Sequence, residues 1–334
     1  MSGELPAQQR RALERLVERG TLTTEQAGEV AAELAAEPAA PRAGGLWEVL
    51  GYAGGALVLG GAALLVGMSW EDLSRAARVG LLAAAAAVLA GAGIAIAGGP
   101  RAVRELAGAA PSRRSRIVAV LFALAAGIAA MAVGSGLEDA PQLDVPLVAT
   151  AAGTALAAAG YVALPSVPGL LATGAFAYWC ALSAVDGWGN DSSLPQMVVL
   201  IALGAVWAAL AVGGVLQRPG GGRAGRVRRE VGLGIAAATA LSGAQWTIGA
   251  EQAVSYGTTF VLAVLCFAAF LRLRSTVLLV FGVLGVTVSV PEAVYDWTGG
   301  ALGGPLIVLL VGVVLLAVGG FGLRLRNKVG SDSA

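Results

Sequence analysis

The sequence predicts an all-α fold: a polytopic transmembrane helical bundle of about ten spans, carrying a small N-terminal cytoplasmic helical hairpin. Three observations lead to it. The chain of 334 residues is 57% hydrophobic and only 13% charged, against about 45–50% apolar and about 25% charged in ordinary soluble domains. So much apolar surface cannot be hidden from water in one globular core. The charges are also clustered: residues 1–42 hold five arginines and seven glutamates, and the rest fall in short groups. Between these groups lie apolar stretches of roughly 20 residues, the length a helix needs to cross a ~30 Å hydrocarbon layer.

Ten such stretches follow in order: 47–68, 79–99, 117–136, 146–164, 168–185, 196–216, 231–250, 254–271, 276–290 and 301–323. The fifth and ninth are short, and the seventh and eighth are separated by Glu251 and Gln252 alone, so eight spans is the alternative count. The implied division is residues 1–45 as hairpin and linker, 46–326 as membrane domain and 327–334 as a cytoplasmic tail.

Orientation follows from the connections. One alternate set, with the C-terminal tail, carries fifteen basic residues: Arg101, Arg104, Arg113, Arg114 and Arg116; Arg218, Arg223, Arg226, Arg228 and Arg229; Arg272 and Arg274; then Arg324, Arg326 and Lys328. The other set carries two, Arg75 and Arg78, among ten carboxylates that include Glu138, Asp139, Asp191, Glu292 and Asp296. Cytoplasmic loops retain Lys and Arg. The expected placement is therefore the bacterial inner membrane with both termini cytoplasmic. Merging spans seven and eight would put Arg272 and Arg274 on the wrong side. Met1 to Arg42 is charged throughout and has no secretory-signal pattern, so insertion is expected to be directed by the first span.

In the N-terminal segment, Leu13, Leu16 and Val17 fall at helical spacing, Gly20 is a stop, and Thr23 with Gln26 has the capping-box spacing that begins a second helix. That helix carries Ala27, Val30, Ala31 and Leu34 opposite Glu25, Glu29, Glu33 and Glu37. Glutamates four apart repel, so the hairpin is expected to lean on the membrane domain or on a protein partner bound at residues 1–45. Its negative balance argues against nucleic acid. Pro38 to Gly45 reads as a linker.

Within the spans the chemistry is sparse. The chain has no histidine and two cysteines, Cys180 and Cys266, which read as small apolar packing residues. His-based triads and His-ligated zinc are therefore excluded, and no Walker, HExxH or GxSxG pattern occurs. No catalytic residue, cofactor or metal ligand is expected, and the chain reads as non-catalytic. Glycine, 49 of 334 residues, recurs at small-xxx-small spacings such as Gly91/Ala95/Gly99, Ala149/Gly153/Ala157 and Gly204/Ala208, which let helices approach closely in lipid. Trp47, Trp70, Trp188 and Trp297 fall near span ends, as an interfacial belt would require. Ser69 to Arg78 reads as an interfacial helix start, with Arg75 and Arg78 reaching headgroups. The candidate polar site lies in the seventh span: Ser242, Gln245, Trp246 and Thr247, where i, i+3 and i, i+4 spacings allow a shared face. Interhelical hydrogen bonding is the simplest role for these residues; a substrate or pore site is the alternative. The arginines of 217–230 follow from positive-inside topology and draw anionic lipid headgroups to the cytoplasmic loops by position alone.

Gly51 to Leu89 (GYAGGALVLGGAALLVGMSWEDLSRAARVGLLAAAAAVL), preceded by the helical segment Leu16 to Leu34 with its Gly20, Leu22 and Gln26 turn, resembles the start of the bacterial membrane proteins grouped as domain of unknown function 2157. In that family a glycine-rich first span is followed by an Asn-Trp pair, here Ser69-Trp70, then a short polar segment and a second span. The resemblance implies a topology and no activity. Ten spans with cytoplasmic termini also resemble the drug/metabolite transporter superfamily, although residues 46–190 and 191–326 show no similarity to each other. A small-solute transporter is the rival to a structural or interaction role.

Overall fold

The computed structural model describes residues 13, 15–36, 67, 70, 72–108, 112–140, 142–186, 194–216, 222–245, 252–299 and the positions 309, 312, 313 and 316. The expected first and tenth spans lie outside these residues almost entirely, as do Trp47, Trp188, Trp246, Thr247 and the linker 38–45. The chain divides into two units, 1–73 and 74–334.

In the first unit, helix α1 spans Thr24–Ala36. Its start is the expected capping box: the Thr23 amide donates to Gln26 Oε1 at 3.0 Å, and the Gln26 amide donates to Thr23 Oγ1 at 3.2 Å. Two donors that a helix start would leave idle are thereby satisfied. Gly20, at φ +69°, ends the preceding turn. Ala27 and Ala31 are half-buried, whereas Val30, expected on the same apolar side, is exposed.

The second unit contains nine described helices: α2 (Arg75–Ala97), α3 (Pro100–Gly108), α4 (Arg113–Gly136), α5 (Val145–Ala163), α6 (Val167–Asp186), α7 (Leu194–Val212), α8 (Gly222–Ala244), α9 (Gln252–Leu273) and α10 (Thr276–Trp297). Seven of them, all but α3 and α8, are long and apolar enough to cross a membrane. The fold is that of a multi-pass α-helical membrane protein. Helices α2, α4, α5 and α6 pack in succession, α7 to α10 form a second set, and α6 joins the two through α7 and α8.

Side-chain distribution is the reverse of a water-soluble core. Alanine dominates the buried positions, including Ala97, Ala119, Ala157, Ala211, Ala244 and Ala263, while Val88, Leu124, Met131, Val162, Val198, Val206, Leu265 and Leu284 face outward. Lipid tails are as apolar as leucine, so nothing drives the large aliphatics inward; close backbone approach is the gain. On α7, a Cβ added to Gly204 would lie 2.8 Å from the Ala236 carbonyl oxygen of α8. On α5, a Cβ at Gly153 would run into the Phe176 ring of α6. The expected Gly91/Ala95/Gly99 stripe does not serve this purpose: nothing stands within 4 Å of a Cβ at Gly91 or Gly99. The buried pair is Gly93 and Ala97, two positions along, where Phe122 of α4 fills the space.

Three expected boundaries move. The loop with Arg101 and Arg104 contains a short amphipathic helix, α3, whose Val103 is buried while Arg101 and Arg104 face out. The basic segment before the seventh span is itself helical: α8 starts at Gly222 rather than 231, because Arg, Val and Glu continue a helix as readily as they line a loop. The ninth span continues through Pro291 to Trp297 rather than ending at 290. The segment around Arg75 and Arg78, expected as an interfacial helix start, is the first turn of α2. Ser74 caps α2, and the two arginines pair with Asp139 and Glu138 after α4.

Candidate functional site

Successive long helices place their ends alternately at two ends of the bundle. At one end lie Arg101, Arg104, Arg113, Arg114, Arg116, the α8 arginines, Arg272 and Arg274; at the other lie Glu138, Asp139, Asp144, Asp186, Glu292 and Asp296. Each end holds a polar cluster built from groups inside helices.

The acidic-end cluster contains one of the residues singled out from sequence, Gln245. Gln245 closes the last turn of α8, its amide bonded back to Leu241 and Ser242 carbonyls. Its Nε2 donates to Thr259 Oγ1 of α9 at 2.8 Å and to Glu292 Oε2 of α10 at 3.0 Å. Ser255 Oγ donates to the Ala244 carbonyl at 2.9 Å, and Tyr256 OH donates to Asp296 Oδ2 at 3.3 Å while accepting from Trp297 Nε1 at 3.1 Å. The Tyr256 and Trp297 rings meet edge to face, their centroids 6.4 Å apart. Three helix ends are thus tied by side chains. Ser242 takes no part: its hydroxyl donates to the Thr239 carbonyl of its own helix at 2.9 Å. Trp246 and Thr247 lie outside the described residues.

Glu292 joins this cluster because α10 continues past Pro291. Proline lacks an N–H and interrupts the helical ladder, a signal that reads in sequence as a span end. Here the helix continues, which puts Glu292 five residues, about 7.5 Å of rise, inside the Trp297 end of α10. One turn earlier, Ser289 Oγ is buried with no hydrogen-bond partner, at 2% residue exposure.

The basic-end cluster centres on Arg228, a residue the sequence places in a loop. It sits six residues into α8 and is 8% exposed. Its Nε donates to the Leu216 carbonyl at 3.2 Å and its Nη1 to the Pro165 carbonyl at 3.1 Å. Both carbonyls lie where a helix has ended, after α7 and between α5 and α6, and so lack intrahelical partners. Nearby, Ser275 Oγ donates to Glu230 Oε2, joining the start of α10 to α8. The signal in sequence was the helical spacing of Gly225, Arg228, Gly232 and Ala236, all buried, which the surrounding charges masked.

Among the described residues no three Cys, Asp or Glu side chains gather as a metal site would require. No family model, curated protein or solved structure matches the chain.

Proposed function

We propose that the chain is a non-catalytic, multi-pass protein of the bacterial inner membrane, with cytoplasmic termini and a structural or interaction role. One observation carries the reading: the polar side chains that bridge the helices are committed to one another, Gln245 to Thr259 and Glu292, Ser255 and Arg228 to backbone carbonyls. Such bonds specify how helices pair. The charge difference between the two ends supports cytoplasmic placement of the arginine-rich one, where anionic headgroups would surround it. Adding the apolar stretches 47–68 and 301–323 to the eight long helices gives ten spans and brings both termini to that side. Residues 1–45 are the proposed docking element for a protein partner, with no nucleic acid involved, and the likeness of residues 16–89 to the domain of unknown function 2157 family is proposed as kinship.

The test is affinity capture of the full-length chain from crosslinked membranes, beside a form lacking residues 2–45. A partner recovered with the first and lost with the second supports the reading; identical recovery by both removes the role assigned to the N-terminal segment. Glu292 favours the transporter as a second reading, because carboxylates inside spanning helices often mark ion and substrate paths. Solute flux into proteoliposomes that Glu292→Gln abolishes would replace the leading reading with that one.

A further inference from the structure

An open groove of about 780 Å³ lies between α6, α8 and α10, within the about 300–1,000 Å³ of small-molecule sites. Its lining changes character along its length. Arg223, Arg226 and Glu230 on α8 and Arg274 before α10 stand at the basic end. Leu171, Ile235, Val277 and Phe281 make the apolar walls, which reach Ala238. The α8 contribution is one helical face, 223, 226, 230, 234 and 238. At 1.5 Å per residue this face is about 22 Å long, of which the part beyond Glu230 is about 12 Å, comparable with the ~15 Å half-thickness of a hydrocarbon core.

The rim is electropositive. Glu230 accepts from Ser275 Oγ, and among the described residues no carboxylate forms an ion pair with Arg223, Arg226 or Arg274. Arg274 adds an independent sign of a built site. It is the one described non-glycine residue at positive φ, +50°, with its amide donating to the Phe270 carbonyl at 2.8 Å at the end of α9. Glycine is the relaxed occupant of such a helix-ending position, and residues kept in this backbone region concentrate at ligand clamps. Here the occupant is an arginine, and it lines the groove.

We infer that this groove holds an anionic glycerophospholipid from the cytoplasmic leaflet, its phosphate among Arg223, Arg226 and Arg274 and one acyl chain along Ile235, Val277 and Phe281. The inference rests on the proposed orientation of the basic end. A soluble anion would use the rim and leave the long apolar wall without purpose; a zwitterionic lipid would fill the wall but offer the rim no net charge. Guanidinium groups supply the fork geometry that phosphate oxygens match.

The test is native mass spectrometry of the purified full-length protein in detergent, titrated with dioleoyl-phosphatidylglycerol or dioleoyl-phosphatidylcholine. The wild type is expected to retain phosphatidylglycerol preferentially. The R223Q/R226Q/R274Q variant should lose that preference by about a hundredfold, each basic residue contributing on the order of a factor of five. An R101Q/R104Q control, altered at the same end but outside the groove, should keep it. Ala238→Phe, at an exposed position on the wall, should lower retention without changing a charge, and it decides the matter if the triple variant fails to fold. Equal retention of both lipids, an equal loss in the control, unchanged retention in Ala238→Phe, or displacement by soluble glycerol 3-phosphate would each overturn the proposal. Orientation plays no part in a detergent measurement, so its failure is distinct from failure of the scaffold reading.

Discussion

Replacing Arg228 with methionine keeps an unbranched stem and removes the guanidinium that joins three segments at the basic end. A hydrogen bond from a charged donor contributes about 1.5–3 kcal/mol, so the bonds to Leu216 and Pro165 carbonyls amount to about 3–6 kcal/mol before corrections. Removing the charge also removes the cost of burying it, and the Tyr161 hydroxyl, 3.5 Å from the Leu216 carbonyl, remains to satisfy that oxygen. The Pro165 carbonyl gains no such substitute from Met, which costs about 1–3 kcal/mol if water cannot enter. The expected net loss is about 2–4 kcal/mol, read as a shift in the SDS-induced unfolding transition of protein in mixed micelles. Arg228→Lys should recover less than half, because a compact ammonium cannot reproduce two donors in a fixed fork. Arg226→Gln, at an exposed position on the same helix, should stay within about 0.5 kcal/mol of wild type. If Arg228→Met and Arg226→Gln unfold together, the buried carbonyl bonds contribute nothing and the account of this end is wrong.

Gln245→Leu removes its two side-chain bonds to α9 and α10; at about 0.6 kcal/mol per interhelical bond the same assay should register about 1 kcal/mol, while Ser242→Ala, whose hydroxyl stays on its own helix, should register less than half of that. Gly204→Ala drives a Cβ to 2.8 Å from the Ala236 carbonyl oxygen and should cost about 1–3 kcal/mol, whereas Gly80→Ala, in open space, should be neutral or slightly stabilising by the same measurement. Thr23→Ala breaks the capping box and should cost α1 about 1 kcal/mol, seen as faster amide exchange over residues 24–28 with no change in α4. For orientation, Asp139→Cys in a background with Cys180 and Cys266 replaced by serine should react with an impermeant maleimide in intact cells; reaction confined to broken cells would invert the assignment.

Apolar length and charge placement made the helices legible: seven expected spans match helices to within a few residues at most ends, because the signal is a run of about 20 residues and does not depend on any partner. The capping box at Thr23 and Gln26 was legible for the same reason, being local. What sequence misplaced was set by partners. Glu292 and Arg228 read as loop residues, since a charge next to a proline or among other charges is ordinarily a solvated connection. Their places inside helices depend on Gln245 and on the free carbonyls of Leu216 and Pro165, which lie 47, 12 and 63 residues away in the chain. The shift from Gly91/Ala95/Gly99 to Gly93/Ala97 has the same cause. Small residues are so frequent that several stripes of each helix could serve, and the position of Phe122 on α4 selects one.

Helix α8 concentrates these effects. It is the least apolar of the long helices, yet it touches α6, α7, α9 and α10 and has nine buried residues among its 23. A central helix can therefore carry Arg228 and Glu230 where a peripheral one could not: neighbours supply the carbonyls and the Ser275 hydroxyl that lipid would not. The same centrality requires small residues, because four neighbours can approach one axis closely only where Cβ atoms are absent or single. Gly232, Ala236, Ala237, Gly243 and Ala244 are buried along it, and a Cβ at Gly243 would meet Leu200 of α7 at 2.6 Å. The charges at the start of α8 and the close packing that makes it the centre of the bundle thus have one origin. Charges are tolerated there because the helix is enclosed, and it can be enclosed because it is built from glycine and alanine.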